Sequence, residues 1–443
     1  MINMLRSRRL QLYTLGFCLV FCHSLVFNRA VLSLELGRAV ESALANSYDL
    51  KSLQGKVVAS RYAVDERWGY FSPSLEVGLY RSEMERYSRS QTNTKTDDYS
   101  ISLSQPIYNP SLWSNYQEAI VTEELTEIQH REARDKLVFD TLMAVLNICR
   151  LRSRLAVTDS SLKSVNQSLE IQKKRLKADF GTRFDLLETE AEVYRYRKER
   201  QEVASRLKSG LLKFGQLTGQ PGQEDQFPIL TGFSDLKSDI PFHQESQHWI
   251  DLAFQKNTQL QVVFLNQKTG RIQQERSSNS FKPELDLIFT HNQTESKSTI
   301  TSRVMDNTVK FNISMGFSPV AGYYRVRRFD SEMKALMQEE EKVKKDLINK
   351  IITLVHSLKM KHRDLETQRQ WMAKQEEIGR LYEKGLERRH FPATQVLEAS
   401  RKRNDSQLGS IGTVIEIWET RINLLYITGQ LHEVSIDLLD QVF

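Results

Sequence analysis

Residues Ser111 to Ala178 are 68 consecutive positions without a glycine or a proline. Helices of soluble globular proteins average about three to four turns. At about 1.5 Å of rise per residue, an unbroken helix here would extend roughly 100 Å. Leu137, Val138, Leu142, Val145, Leu146 and Cys149 keep helical spacing, with Lys, Arg, Glu and Gln between them. A second stretch, Tyr323 to Ile378, is equally free of both breakers. Any fold for this chain has to accommodate two such rods.

The rods belong to an internal repeat of constant register. Pro73-Ser74-Leu75 matches Pro283-Glu284-Leu285, and Leu103-Ser104 matches Ile313-Ser314. Leu187-Glu188 matches Leu397-Glu398, and Leu217-Thr218-Gly219-Gln220 matches Ile427-Thr428-Gly429-Gln430. Ala43 and Leu50 match Ala253 and Leu260, and every pair lies 210 residues apart. Such a period is far above the 20–50 residues of solenoid repeats. It predicts two tandem copies of one domain-sized unit.

Composition narrows the class. The 443 residues are 27% charged and 40% hydrophobic, and the mean hydropathy is −0.48, which excludes a polytopic helical membrane protein. The formal charge is +6, but Arg6, Arg8, Arg9 and Arg29 supply four of the positive charges with no acid before residue 30, so the remainder carries +2. That balance gives no reason to expect nucleic acid as a partner. Residues 1–30 read as a secretory signal: Arg6, Arg8 and Arg9 precede a mostly apolar run, Leu10 to Phe27, with cleavage expected near Ala30 to Ser33. A retained anchor is the alternative. A lipoprotein signal fits less well, because Phe17 and Phe21 precede Cys18 and Cys22 where a small residue is wanted. Cys149 would then be the single mature cysteine, which leaves no intrachain disulfide and suits a small core residue in a bacterial envelope protein.

Read in order, the first repeat spans 31–220. Leu34 to Trp68 is amphipathic and predicts a helix that Gly69 and Pro73 end. A β-hairpin follows at about 72–106: Leu75, Val77 and Leu79 alternate with Ser74, Glu76 and Gly78, and Tyr99, Ile101 and Leu103 alternate with serines. Met84 to Asp98 is polar and reads as a long loop. The long helix 111–178 comes next, then a turn at Asp179 to Arg183 and a return helix 184–217. The two shorter helices together match the length of the long one, which predicts a tall antiparallel pair with the hairpin at one end and a tight turn at the other. Residues 221–244, rich in Gly and Pro, are a linker. The second repeat, 245–443, predicts a helix over Trp249 to Ser278, a hairpin at about 282–318 with a polar loop His291 to Asn307, a long helix 320–385, a turn near Gly385 to Pro392 and a return helix 393–438.

Each hairpin has one apolar and one polar face. The apolar faces either pack on a helix or face lipid. With the chain leaving into a long rod, little is nearby to cover them, so the second reading is preferred. Tyr70, Phe71, Tyr108 and Phe317 near the strand ends suit a membrane β-barrel. Four strands cannot enclose an open interior, and lipid tolerates no open edge, so several chains would have to contribute. The clean apolar run Leu75 to Leu79 is shorter than the 9–11 residues of a typical membrane strand.

These residues, in this order, resemble the TolC-like outer-membrane efflux protein family over essentially the whole mature chain. LSLELGRAVESALANSYDL at 32–50 resembles the family's first helix, FSPSLEV the entry to the first strand and LSQPIYNP the exit from the second. GTRFDLLETEAE at 181–192 and TQVLEAS at 394–400 resemble the two turns, and FGQLTG and LLYITG the helix endings. The resemblance implies a mainly α fold with β: a homotrimer with a long periplasmic α-helical barrel, a 12-stranded outer-membrane barrel (four strands per chain) and a mixed equatorial collar near the linker. It implies a passive exit duct that docks on a periplasmic adaptor (a membrane fusion protein) and an inner-membrane transporter of the RND or ABC type. Cargo, whether drug, metal or secreted protein, is set by those partners.

The resemblance also assigns roles at the turns. The family's constriction carries acids in a DVLD-like run, which here reads Gln395-Val396-Leu397-Glu398, so one acid position holds Gln395 and the other Glu398. Three copies of Glu398 would form a negative ring that favours cations and raises its own pKa by repulsion. Asp185 matches the family acid that bonds a basic residue of the second turn in the closed state. That basic position is Phe391 here, with Arg388 and Arg389 close enough to substitute. Asp179 and Arg389 stand where the family often carries Gly, which predicts turns of different shape. Gly181, Thr182, Arg183 and Phe184 of the first turn, and Leu386, Glu387, Arg388 and Arg389 of the second, are expected to meet the adaptor.

Other chemistry is thin. No nucleophile or phosphate-cradling motif stands out, so no catalytic residue, cofactor or metal is expected. His243 and His248 lack metal spacing, and His356 and His362 are six apart on a helix, so they diverge. The competing class is a secreted or periplasmic coiled-coil scaffold with adhesive hairpins and no pore. It predicts sustained heptads, whereas the rods show mixed periodicity.

Overall fold

The computed structural model describes residues 37–86, 92–230, 245–279, 281–297, 301–316, 319–387 and 393–431. Helix residues 37–46 (α1) precede α2 (Tyr48–Gly69), β1 (Ser74–Arg86), β2 (Thr92–Tyr108), α3 (Pro110–Lys177) and α4 (Arg183–Thr218). A short 3-10 turn, Glu224–Gln226, leads toward α5 (Ser246–Lys256), α6 (Thr258–Asn279), β3 (Glu284–Lys297), β4 (Thr301–Ser314), α7 (Pro319–Glu387) and α8 (Ala393–Ile427). The signal segment lies outside the described residues. The chain divides into two compact units, a sheet unit of Lys51–Arg131 with Thr258–Lys344, and a helical unit made of the rest.

In the sheet unit the four strands lie in the order β1-β2-β3-β4, all neighbours antiparallel. They are longer than alternation alone predicts, at 13, 17, 14 and 14 residues. Much of the expected polar loops, 84–98 and 291–307, is strand. The ladder continues there because cross-strand partners are polar and matched: Arg81 pairs with Asp97 at 2.5 Å, Lys95 with Glu83 at 3.1 Å and Arg303 with Glu295 at 3.1 Å. The helices of this unit bury Val57, Val121, Leu260, Val263 and Ile272 and carry polar pairs along their flanks. Arg61 bridges Glu127 at 2.7 Å, Gln267 donates to Glu340 at 2.7 Å and Arg276 meets Glu118 at 2.7 Å.

The helical unit holds the main core. Leu142, Leu146 and Ile148 of α3 pack with Leu358 of α7 and with Ile415, Ile417 and Ile422 of α8, all essentially without solvent exposure. Cys149 is buried in this cluster, and burial pushes its thiol up to about 12, so it is an inert packing residue. A second cluster joins Ile250 and Ala253 of α5 to Leu347, Ile351 and Val355 of α7 and Leu424 of α8.

The expected single helices before each hairpin are both broken, at Ser47 and at Asn257. Neither position is Gly or Pro; tertiary contacts break them. Asn46 Nδ2 donates to Thr218 O at 2.8 Å, and Asn257 Nδ2 donates to Ile427 O at 2.7 Å. These carbonyls lie at the ends of the return helices, where no further turn can use them. Gly219 (φ 72°) and Gly429 (φ 68°) close both ends in the left-handed conformation. The second return helix therefore stops at Ile427, ahead of the expected 438.

Candidate functional site: an uncovered sheet face and the helix turns

Directly opposed residues of antiparallel strands share a face. On one face Leu75 meets Leu103, Val77 meets Ile101 and Leu79 meets Tyr99, while Leu285 meets Ile313, Leu287 meets Phe311 and Phe289 meets Val309. Among the described residues nothing covers this face: Leu75, Val77, Leu79, Phe311 and Ile313 are 62–74% exposed. The opposite face is lined by polar residues such as Ser74, Glu76, Ser100, Ser102, Thr290, Asn292 and Thr308. Leu103, the lower end of one apolar run, faces Phe289, the upper end of the other. That offset keeps an apolar band level when strands tilt, as they do in a closed barrel. Trp68, Phe71, Trp113 and Tyr116 cluster at the strand bases, with ring centroids 5.4–6.4 Å apart. No described helix is long and apolar enough to cross a membrane.

In the helical unit, α3 ends at Lys177 and Asp179 takes a left-handed φ of 59°. The aspartate thus adopts the backbone that glycine adopts without cost. Gly181 sits against the preceding turn, where an added Cβ would be 3.2 Å from Arg175 Cβ. Thr182 caps α4, whose first residue is Arg183. Asp185 N donates to Thr182 Oγ1 at 3.1 Å, and Thr182 Oγ1 donates to Asp185 Oδ2 at 2.6 Å. Asp185 is therefore engaged in a capping box, a local role that the reading of it as a lock acid overlooked. Phe180 and Phe184 are exposed beside it. Leu386 and Glu387 end α7, while Arg388, Arg389 and Phe391 lie outside the described residues.

Gln395 and Glu398 are both exposed on α8, whereas Val396 and Leu397 between them are buried. Glu398 pairs with Lys402 at 2.7 Å, and this hydrogen bond holds its carboxyl below the ordinary range. Within one chain the shift is thus opposite to that expected of a self-repelling ring. Leu397 packs with Val165, Val193 and Tyr196. Below it Asn404 Nδ2 donates to Ser161 Oγ at 2.7 Å and to Tyr196 Oη at 3.4 Å, and Arg401 pairs with Glu192. These contacts tie α3, α4 and α8 together and were missed from sequence. The signal was present, since Asn404 follows Val396, Leu397 and Ser400 on one helical face. Among the described residues no cluster of His, Cys, Asp or Glu could hold a metal.

Residues 39–220 match the family described as outer membrane efflux protein. The chain is 23% identical over 260 residues to the proteases secretion protein PrtF of Dickeya chrysanthemi, covering 56% of each chain. It is 21% identical over 238 residues to the alkaline protease secretion protein AprF of Pseudomonas aeruginosa, covering 51% of this chain and 49% of that one. It thus spans about half the length of the curated relatives it matches. In fold it resembles the Campylobacter jejuni CmeC outer membrane channel, with a TM-score of 0.76 at 12% identity, over 89% of this chain and 85% of that one. With the repeated helix–hairpin–helix order and the bare apolar sheet face, these matches agree: residues 39–220 carry the match to the outer membrane efflux protein family, and the fold of the chain is that of an outer membrane channel.

Proposed function

We propose that this protein is the outer-membrane exit duct of a tripartite export system. The observation that carries the reading is the four-stranded sheet whose apolar face no described residue covers, on strands of 13–17 residues. These exceed the 9–11 residues needed to span a bilayer. Four strands leave two edges, and lipid excludes open edges. Three copies supply twelve strands and close them, so the working particle is a homotrimer of two-repeat chains. The apolar face meets lipid and the Ser- and Thr-rich face lines the lumen. The helices extend into the periplasm as a second barrel.

The turns around Gly181 to Phe184 and Leu386 to Arg389 meet a periplasmic adaptor, and exposed Phe180 and Phe184 offer apolar anchors for it. Glu398, with Gln395 and Asp185 near the same end, lines the narrowest passage. Energy comes from an inner-membrane transporter. Both curated relatives are named for protease secretion, which favours type I secretion, an ABC-type transporter and protein cargo over drug efflux. The test is planar-bilayer conductance of the purified chain together with its mass in detergent. Discrete channels from a particle of three chains are expected. A monomer or dimer without conductance would overturn the duct in favour of a scaffold.

A further inference from the structure

Just past the sheet, Val320, Tyr323, Tyr324, Arg327 and Arg328 occupy positions i, i+3, i+4, i+7 and i+8 of α7, which one side of a helix brings together. Val320, Tyr323 and Tyr324 are 71%, 56% and 67% exposed. Arg325, Arg327 and Arg328 are exposed as well. Down this face the chain turns from apolar to aromatic to cationic within about 12 Å. A bilayer boundary has the same order: acyl chains, then the interfacial layer where Tyr and Trp settle, then phosphates. The strand that precedes the helix, β4, carries exposed Val309, Phe311 and Ile313 on its apolar face.

Arg327 and Arg328 are held by ring faces and an exposed carboxylate. The Arg327 guanidinium lies 5.4 Å over the Tyr323 ring, and Arg328 lies 4.7 Å over Phe329 with a solvent-exposed pair to Glu332 at 3.5 Å. The first turn of α7 holds no acid. Positions 210 residues earlier give an internal contrast. Trp113, Ser114, Asn115, Gln117 and Glu118 stand there in place of Tyr323, Tyr324, Arg325, Arg327 and Arg328. Trp113 keeps an exposed aromatic ring, but no cation follows, and Glu118 is neutralised by Arg276 at 2.7 Å. The aromatic level occurs at both positions, and the cationic level only in the second.

We propose that Arg327 and Arg328, one turn below Tyr323 and Tyr324, form a site for the headgroup phosphate of anionic phospholipids in the leaflet at the base of the sheet, one site per chain. The inference rests on the sheet lying in the outer membrane. Each arginine held near an anionic surface strengthens association by about fivefold.

The test is native mass spectrometry of the purified full-length protein with phosphatidylglycerol and phosphatidylethanolamine of identical acyl chains. The unaltered protein should retain at least about fivefold more of the anionic lipid. Arg327→Gln and Arg328→Gln together should bring the ratio near one, and the two Arg→Lys replacements should keep most of it. As a control for diffuse charge, Lys163→Gln, Lys173→Gln and Lys174→Gln together should leave it unchanged. A ratio near one for the unaltered protein, or an equal loss in the lysine control, would overturn the site. Because a ratio near one in the unaltered protein is enough to do so, a variant that fails to fold does not shield the proposal. Channel recordings on the same sample separate the cases: channels without lipid preference sink only the site, whereas no channels sink the duct.

Discussion

Gly219 and Gly429 lie 210 residues apart, both with positive φ, and both close a return helix against the break of an earlier one. Glu188 and Glu398 are also 210 apart and keep the same residue, yet their surroundings differ. Glu398 is exposed and paired with Lys402, whereas Glu188 is half-buried with Oε2 enclosed and no hydrogen-bond partner. The cation Lys402 has the anion Glu192 at its counterpart position. The two halves therefore agree where a backbone conformation is required and differ where side chains face different neighbours. The 210-residue repeat supplies the frame, and the differences between the halves supply Lys402 beside Glu398 on α8 and the arginines of α7.

The agreement can be tested first, because it carries the largest effects. At Gly429 an added Cβ would overlap the Lys256 carbonyl oxygen, which is backbone and cannot swing away. At Gly219 the contact is 2.9 Å to the Asn46 side chain. Left-handed φ adds about 1–2 kcal/mol for any residue with a Cβ. Gly429→Ala is expected to cost about 3–5 kcal/mol and Gly219→Ala about 1–3 kcal/mol, read from thermal unfolding of the helical circular dichroism. Equal effects would show that the two junctions are the same in strength as well as in form.

The divergence is sharpest at Asn404, whose counterpart 210 residues earlier is Tyr194. Asn404 is buried and bonded to Ser161 and Tyr196, while Tyr194 is 68% exposed beside Arg197. Asn404→Ala removes the donor shared by Ser161 and Tyr196, though Ser161 Oγ keeps its own bond to Val157 O, and should cost about 1–3 kcal/mol. Tyr194→Ala should stay within about 0.5 kcal/mol. The comparison would break if the exposed tyrosine proved the costlier loss.

How much of this was legible in the sequence follows from where each constraint is written. The rods were, because the absence of Gly and Pro is a local property, and α3 and α7 run through the stretches that lack them. The lower halves of the strands were, because Leu75, Val77 and Leu79 alternate. Their upper halves were not, since Arg81 and Asp97 make sense as strand residues only once they face each other. The breaks at Ser47 and Asn257 were hidden for the same reason: the causes sit at Thr218 and Ile427, over 160 residues away. At Asp185 the local signal, Thr182 three residues before, was present, but the resemblance directed attention to a distant partner.

The smallest expected effect concerns the Glu188 and Glu398 pair and leaves the fold intact. Lys402 holds the Glu398 carboxyl below its ordinary value of 4.5. A depressed pKa means the negative charge persists as pH falls and disappears only below 4.5. If Glu398 lines the passage, cation preference of the single-channel current should survive mild acid and fade only there. Lys402→Met removes the partner and, in the proposed trimer, would leave three carboxylates to repel one another, so the fade should move to higher pH. Glu398→Gln should abolish the pH dependence, while Glu188→Gln, whose carboxyl oxygen is enclosed, should leave it in place. An unaltered profile in Glu398→Gln would remove this residue from the passage. Loss of the profile in Glu188→Gln would move the charged ring to the first half of the chain.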